Sequence, residues 1–450
     1  MSRRPEHSED EAELVYRQIL ERAPEHDFDP TIDRVRRTVD LLGNPQHAYR
    51  VVHLTGTNGK TSTSRMVERL VREHGLRTGR FTSPHLSTVR ERIAIDGEPI
   101  SPEAFVAAWY DVKPYVEMID SQLAEEGQSR LSFFEVLTVM ALAAFADAPV
   151  DVAILEVGMG GEWDSTNVAD AEVAIVTPVA MDHERWLGHD LTSIAEVKSG
   201  IVKEGSALVS AAQHEDVESV LMSAAARHGS RYVREGVEVE VLDRQVAVGG
   251  QLVALRGLGG VYTEIFLPMH GEHQAHNALL ALVAAEVLLT GGAALDPGAV
   301  EAAFADVDSP GRLELVRSSP AVIVDAAHNP AGAAALVDGL DEAFSLKRVV
   351  GVVGVLDDKD AEGILAELEP HLAELVVTRS SSHRALEPDE LAEVAVEVFG
   401  EDRVHVAERL PDAIALAVEL AERDESLGSG VIVTGSITVV AEARSLFGRG

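Results

Sequence analysis

Val51-Val52-His53-Leu54-Thr55-Gly56-Thr57-Asn58-Gly59-Lys60-Thr61-Ser62 reads as a buried strand, a glycine turn and the first residues of a helix. The apolar run is short, as expected of a strand covered on both faces of a parallel sheet. Glycines let backbone N–H groups turn inward around an anion, and a helix N-terminus adds its dipole. Lys60 stands where it meets the β/γ charge of a nucleotide, and Thr61 or Ser62 offers a hydroxyl to Mg²⁺. The strict G-x-x-x-x-G-K-[ST] pattern is not met, because Leu54 occupies its first glycine position. A glycine turn that merely opened a helix would have no use for the Lys-Thr-Ser trio. The stretch is therefore read as an ATP-phosphate loop.

Outward from this loop, short Val/Ile-rich runs alternate with longer amphipathic segments, the pattern of an α/β chain. Strands are expected at Arg50–Leu54, Val152–Glu156, Val173–Thr177, Ala207–Ser210, Ala321–Val324, Val349–Val355, Leu375–Thr378 and Val431–Gly435. Helices are expected at Ser62–Glu73, Ser132–Ala146, Ser193–Val202, Asn277–Leu289, Gly332–Ala343 and Pro411–Arg423. Tyr232–Leu267 alternates β-branched residues with glycines and suits antiparallel strands or a meander. The turn-rich cluster Asp306–Pro310 marks a domain boundary. It gives an N-terminal domain over residues 1–308 and a second α/β domain over 309–450.

The chain has 450 residues, of which 46% are hydrophobic, so it can bury an ordinary core. No uncharged stretch is long enough for a bilayer; the longest, Ser426–Ala441, is broken by Gly, Ser and Thr. The first residues, MSRRPEHSEDEAEL, lack the apolar segment of a signal peptide. A cytoplasmic protein is expected. The absence of cysteine removes disulfides, thiol nucleophiles and Cys-ligated metals. Asp+Glu total 75 against Lys+Arg 38, a formal charge of −37, which argues against a nucleic-acid partner. The only lysines are Lys60, Lys113, Lys198, Lys203, Lys347 and Lys359. Acid spread evenly along a lysine-poor chain fits a halophilic cytosol, where salt screens self-repulsion within a few Å.

Further motifs give the loop its context. They are LGNPQ (Leu42–Gln46), TSPHL (Thr82–Leu86), ERI (Glu91–Ile93), SFFEVLT (Ser132–Thr138), ILEVGMGGEWDSTN (Ile154–Asn167) and MDHERWLG (Met181–Gly188). HQAHNALLAL (His273–Leu282), SPGRLE (Ser309–Glu314), DAAHNP (Asp325–Pro330), VLDDKD (Val355–Asp360) and TGSITVVAEAR (Thr434–Arg444) follow. With TGTNGKTS at Thr55–Ser62, this series resembles the Mur ligase superfamily, and within it the folylpolyglutamate synthase/dihydrofolate synthase branch. The resemblance runs over about residues 15–445 in the family's order and spacing. It implies a P-loop ATPase domain joined to a Rossmann-like domain, with the active site in the cleft between them. It also implies a reaction: a pterin or folate carboxylate is phosphorylated by ATP, and L-glutamate displaces phosphate from the acyl phosphate.

The same resemblance assigns residues. Asn58, Gly59, Lys60, Thr61, Ser62, Asn277, Arg312 and Asp325 would hold ATP, with Asn277 at adenine, Arg312 at phosphate and Asp325 at ribose. Ser83, Glu156 and His183 would bind Mg²⁺, in two sites, with K⁺ as an optional further cation. Glu156 also ends a predicted strand, where open α/β sheets place ligands. Lys198 matches a lysine that the family carbamylates to N6-carboxylysine, so Lys60, Lys198 and His183 are the expected catalytic groups. Asp29, Pro30, Thr31 and Ile32, then Ser132, Phe133, Phe134 and Glu135, and finally Trp163, Asp164 and Ser165 would face dihydropteroate or (tetrahydro)folate. Phe133 or Phe134 is suited to stack on a flat ring, although core packing is the commoner fate of such a pair. The family pattern departs at Pro30 and Thr31, at Thr61 and Ala326 (each in place of Gly), at Val197 (in place of Glu) and at Glu162-Trp163 (in place of Arg-Leu). The expected partners are small molecules only, and the expected state is a monomer. The rival readings are a Mur ligase acting on a cell-wall precursor, and an ATP-binding switch without catalysis. The switch reading predicts loss of Lys60, Glu156, His183 or Lys198, and all four are present.

Overall fold

The computed structural model describes residues 5–24, 29–423 and 428–449. The first four residues of the N-terminal segment and part of the Ser426–Ala441 stretch lie outside that set. The chain divides into two compact units. One comprises the residues up to Val241 with Leu255–Thr263 and Asn277–Val307; the other comprises Leu242–Ala254, Glu264–His276 and the residues from Asp308 onward.

In the first unit the strands are β1 (Arg50–Thr55), β2 (Thr78–Phe81), β3 (Ile93–Ile95), β4 (Glu98–Pro99), β5 (Val152–Glu156), β6 (Val173–Val176), β7 (Ala207–Ser210) and β8 (Arg231–Arg234). They form one sheet in the order β4-β3-β2-β5-β1-β6-β7-β8. From β2 to β8 neighbouring strands run parallel, while β3 and β4 pair antiparallel at one edge. β1 lies between β5 and β6, so the loops leaving all three open at the same edge, where such sheets collect ligands. Val51, Val52, Leu54 and Val152–Glu156 are all buried, which is why these strands read as short, largely apolar runs. Helices Lys60–Glu73 and Phe133–Asp147 pack against β2 and β5 or β2. Ser132 and Glu135 form a reciprocal capping box that fixes the start of the second helix.

Strands β9 (Glu240–Ala247), β10 (Gly250–Arg256) and β11 (Val261–Leu267) form a three-stranded sheet in the order β11-β10-β9. The meander expected over Tyr232–Leu267 therefore holds for its later part. Its first residues instead form β8, which extends the large sheet parallel to β7.

The second unit holds β12 (Glu314–Ser318), β13 (Ala321–Val324), β14 (Arg348–Val353), β15 (Glu374–Val377), β16 (Val404–Val406) and β17 (Ser429–Thr434). Their order is β12-β13-β17-β14-β15-β16, parallel except for β12. One apolar cluster, including Ile323, Leu336, Val353, Leu365, Leu375, Leu391 and Ile432, fills one side of this sheet. Asn329 caps the helix Pro330–Ala343 through its side chain, with Pro330 at the first turn, where a missing N–H costs nothing.

Candidate active site

The loop after β1 turns on two glycines with positive φ, Gly56 (144°) and Gly59 (88°). A β-carbon at Gly56 would collide with Thr177, and one at Gly59 would stand 2.5 Å from Asn277 Oδ1. Asn277 of the helix Glu272–Thr290 therefore sits directly on the phosphate loop. Lys60 folds back, its Nζ donating to the carbonyls of Gly56 (3.1 Å) and Thr57 (3.0 Å). Lys198, 4% exposed on the helix Leu191–Ser199, donates to the same Gly56 carbonyl at 2.8 Å. Two ammonium groups thus converge on one backbone oxygen in a chain of formal charge −37. Burial, reinforced by the Lys60 charge, pushes the Lys198 ammonium down to about 7, against the pull of Asp182 and Asp164. An anion is the partner that relieves such a pair.

Glu156, at the C-terminal end of β5, is 1% exposed. Thr61 Oγ1 lies 2.9 and 3.0 Å from its two carboxylate oxygens. The hydroxyl expected to meet a metal is thus beside the carboxylate expected to do the same. Ser83 is buried and follows β2, with a cis bond to Pro84. His183 has a left-handed backbone (φ 52°); its N–H donates to Asp182 Oδ1 at 2.8 Å, and its Nε2 lies 3.7 Å from Asp182 Oδ2. Among the described residues, no group of three or more His, Asp or Glu side chains is arranged to hold an ion. The paired hard oxygens of Thr61 and Glu156 still fit Mg²⁺, which takes one or two carboxylates and completes its shell with water and substrate phosphate.

In the second unit, Asp325 at the end of β13 accepts from the N–H of Leu313 (2.8 Å) and of Ala327 (2.9 Å). Burial raises its carboxyl above the usual range, and the Arg312 charge opposes that. The SPGRLE and DAAHNP motifs are therefore one local structure, closed also by Ala326 N–H to the Gly311 carbonyl at 2.9 Å. Ala326, which stands in place of the family's Gly, does not take positive φ; Gly311 (71°) and Leu313 (43°) do.

Known proteins match in the same terms. Residues 54–285 match the Mur ligase middle domain, and residues 311–437 match the Mur ligase glutamate ligase domain. A dihydrofolate synthase/folylpolyglutamate synthase from Mycobacterium tuberculosis is 50% identical, over 95% of this chain and 92% of its own. The chain belongs to the Mur ligase family, in its folylpolyglutamate synthase/dihydrofolate synthase branch. The solved Mycobacterium tuberculosis folylpolyglutamate synthase complexed with ADP and AMPPCP has a TM-score of 0.94 at 49% identity, covering 98% of this chain and 99% of that one. A folylpolyglutamate synthase–AMPPCP–folate complex has a TM-score of 0.84 at 29% identity, with 97% and 99% covered.

In this ligase the expected pterin segments do not all present free groups. Glu135 is buried, accepting from Ser132 N–H at 2.7 Å and from Arg34 Nε at 2.9 Å. Arg34 also reaches Asp29 at 3.1 Å, so the Asp29–Ile32 and Ser132–Glu135 segments are joined by a cation that motif reading passed over. Only its 3% exposure distinguishes it from the surface arginines around it. Phe133 is buried, with the Arg92 guanidinium 5.3 Å from its ring centre, whereas Phe134 is only partly buried, against Phe81 at 5.5 Å. Core packing is thus the fate of Phe133, and Phe134 keeps some surface. Asp164 spends its carboxylate on its own loop: Gly158 and Met159 N–H at 3.0 Å each, and Thr166 N–H at 2.9 Å. Ser165 Oγ meets Thr138 Oγ1 at 2.7 Å, and Trp163 is partly buried beside Gly160.

Proposed function

We propose that this ligase joins L-glutamate to the carboxylate of a pterin or folate substrate, as dihydrofolate synthase, folylpolyglutamate synthase or both. The substrate carboxylate oxygen bonds to the γ-phosphorus of ATP and ADP leaves. The glutamate amine then attacks the acyl carbon, losing a proton, and phosphate departs. The observation that carries this reading is the convergence of Lys60 and Lys198 on the Gly56 carbonyl, beside the Thr61–Glu156 pair. Phosphoryl transfer is chiefly positioning and charge neutralisation, and this arrangement offers both.

Asn58, Gly59, Lys60, Thr61, Ser62 and Asn277 are proposed to cradle the nucleotide, and Arg312 and Asp325 are proposed as further ATP contacts. Thr61, Ser83, Glu156 and His183 would hold Mg²⁺, which when bound supplies charge for the phosphate oxygens; K⁺ is a further cation to test. Lys198 is proposed to act as N6-carboxylysine. The pterin contacts are proposed at Pro30, Thr31, Ile32, Phe134 and Trp163, with Asp29, Ser132, Phe133, Glu135, Asp164 and Ser165 shaping their segments. Two functional domains over 1–308 and 309–450, a monomeric state and a cytoplasmic location complete the proposal. No helix among the described residues is long and apolar enough to cross a membrane. The cell-wall alternative gains nothing from the relatives named above.

The test is a substrate panel. With ATP, Mg²⁺ and glutamate, dihydropteroate or tetrahydrofolate should each be offered, and at least one should stimulate ADP release. Stimulation by neither refutes the assignment. The panel should be run across KCl concentrations, because ATP, glutamate and folates are anions and the surface is acidic. A halophilic enzyme should gain activity into the molar range; an optimum near 0.1 M, where the Debye length is still about 10 Å, sinks that part of the proposal.

A further inference from the structure

Beneath the Ser83 turn lies an ion pair that the reaction as described does not use. Arg80, in the middle of β2, donates from Nε to Glu68 Oε2 at 2.6 Å. The two side chains are 3% and 5% exposed. Glu68 belongs to the helix Lys60–Glu73, which begins at the phosphate loop. Its other oxygen accepts from Thr78 Oγ1 at 3.3 Å and from Gly97 N–H at 3.1 Å. Arg80 Nη1 reaches Thr82 Oγ1 at 3.4 Å, one residue before Ser83. One carboxylate on the P-loop helix therefore fastens the start and the middle of β2 and the turn between β3 and β4, and through Arg80 it reaches Thr82.

Stability alone does not explain such a pair. Two buried charges lose hydration that their attraction barely returns, and a well-packed apolar pair of similar volume is often as stable. What an apolar pair lacks is direction. A guanidinium fork holds its acceptors in fixed geometry, and those acceptors lead one way to Lys60 and Thr61 and the other way to Ser83. We propose that Glu68 and Arg80 are positioning residues that set the Ser83 turn against the phosphate-loop helix, so that Ser83 and Thr61 can serve one Mg²⁺–nucleotide complex. This rests on the reading of Ser83 as a metal ligand given above.

The experiment uses the full chain with three variants: Ser83→Ala, Arg80→Lys, and the double substitution Glu68→Met with Arg80→Leu. The double variant guards against simple unfolding, since it leaves no unpaired buried charge. Two quantities are read for each: the Mg²⁺ concentration giving half-maximal ADP release, and the extra rise in melting temperature when Mg²⁺ is added to ADP. Partners that orient metal ligands change affinity by about 10- to 100-fold when removed. The double variant should melt near the parent without ligand, need at least about tenfold more Mg²⁺, and lose most of the Mg²⁺-dependent rise. Arg80→Lys, which keeps the charge but not the fork, should fall between them. A folded double variant with the parent's Mg²⁺ requirement and melting response overturns the proposal and leaves the pair structural. If Ser83→Ala itself leaves both readings unchanged, the metal-ligand reading of Ser83 fails, and the positioning role falls with it. A shifted Ser83→Ala beside an unshifted double variant condemns the positioning role alone.

Discussion

Lys60→Ala should lower turnover by at least about 1,000-fold while leaving the melting temperature near that of the parent. Removing one preorganised donor from a developing oxyanion already costs roughly 100- to 1,000-fold, and Lys60 carries a full charge. Its ammonium rests on the Gly56 and Thr57 carbonyls, so it is held at the loop before any nucleotide arrives. Its loss removes no apolar core. The glycine turn should therefore survive, and melting together with ADP binding separates a dead site from an unfolded one. Retained turnover would falsify the role of the loop.

Lys198→Met should lower turnover by about 100-fold or more and, unlike most core substitutions, should not destabilise the fold at neutral pH. The reason is the depressed ammonium. In the unfolded chain Lys198 titrates near its ordinary 10.5, and in the fold at about 7. Between those values the unfolded state binds the extra proton, so the contribution of Lys198 to stability rises with pH and is lost as pH falls through about 7. Methionine has no such term. The melting-temperature difference between variant and parent should therefore favour the variant most at pH 6 and shrink steadily toward pH 9. A pH-independent difference would show that Lys198 is not held as a desolvated amine. The neutral amine is also the form that adds CO₂, with loss of a proton, to give the proposed carbamate. Parent activity at pH 6 should then respond to bicarbonate more than activity at pH 8, and Lys198→Met should respond at neither.

These two lysines also show how much the sequence disclosed. Lys60 was legible from its neighbours alone, because a strand, two glycines and a helix start leave a cation little else to do. Lys198 was legible only as a rare lysine in a matching motif. Its bond to the Gly56 carbonyl joins residues 142 positions apart, which no local pattern announces. The pterin segments taught the opposite lesson. Glu135 and Asp164 looked like available carboxylates, yet their oxygens are already occupied by Arg34, Ser132 and the 158–166 loop. A motif records which residue stands at a position and not which partner its side chain has taken.

The same contrast runs through the fold. Strands β1, β5, β6, β7 and β13 were readable because both of their faces are buried, so their sequences are short, largely apolar runs that identify themselves. β2, Thr78-Gly79-Arg80-Phe81, was not readable. Glycine and arginine argue against a buried strand until Glu68, ten or so residues away on another element, supplies the charge that lets Arg80 go inside. β8 was likewise absorbed into the expected meander, because Arg231–Arg234 becomes a strand of the large sheet only through β7. The sequence by itself determined the fold class, the phosphate loop, the family and the catalytic candidates, since each depends on neighbouring residues or on spacing along the chain. Tertiary structure alone decided which buried charges are paired, which carboxylates are spent, and how Lys198, Asn277 and Thr177 come to surround one glycine turn. Those outcomes depend on desolvation and hydrogen-bond geometry between distant segments, which exist only once the chain has folded.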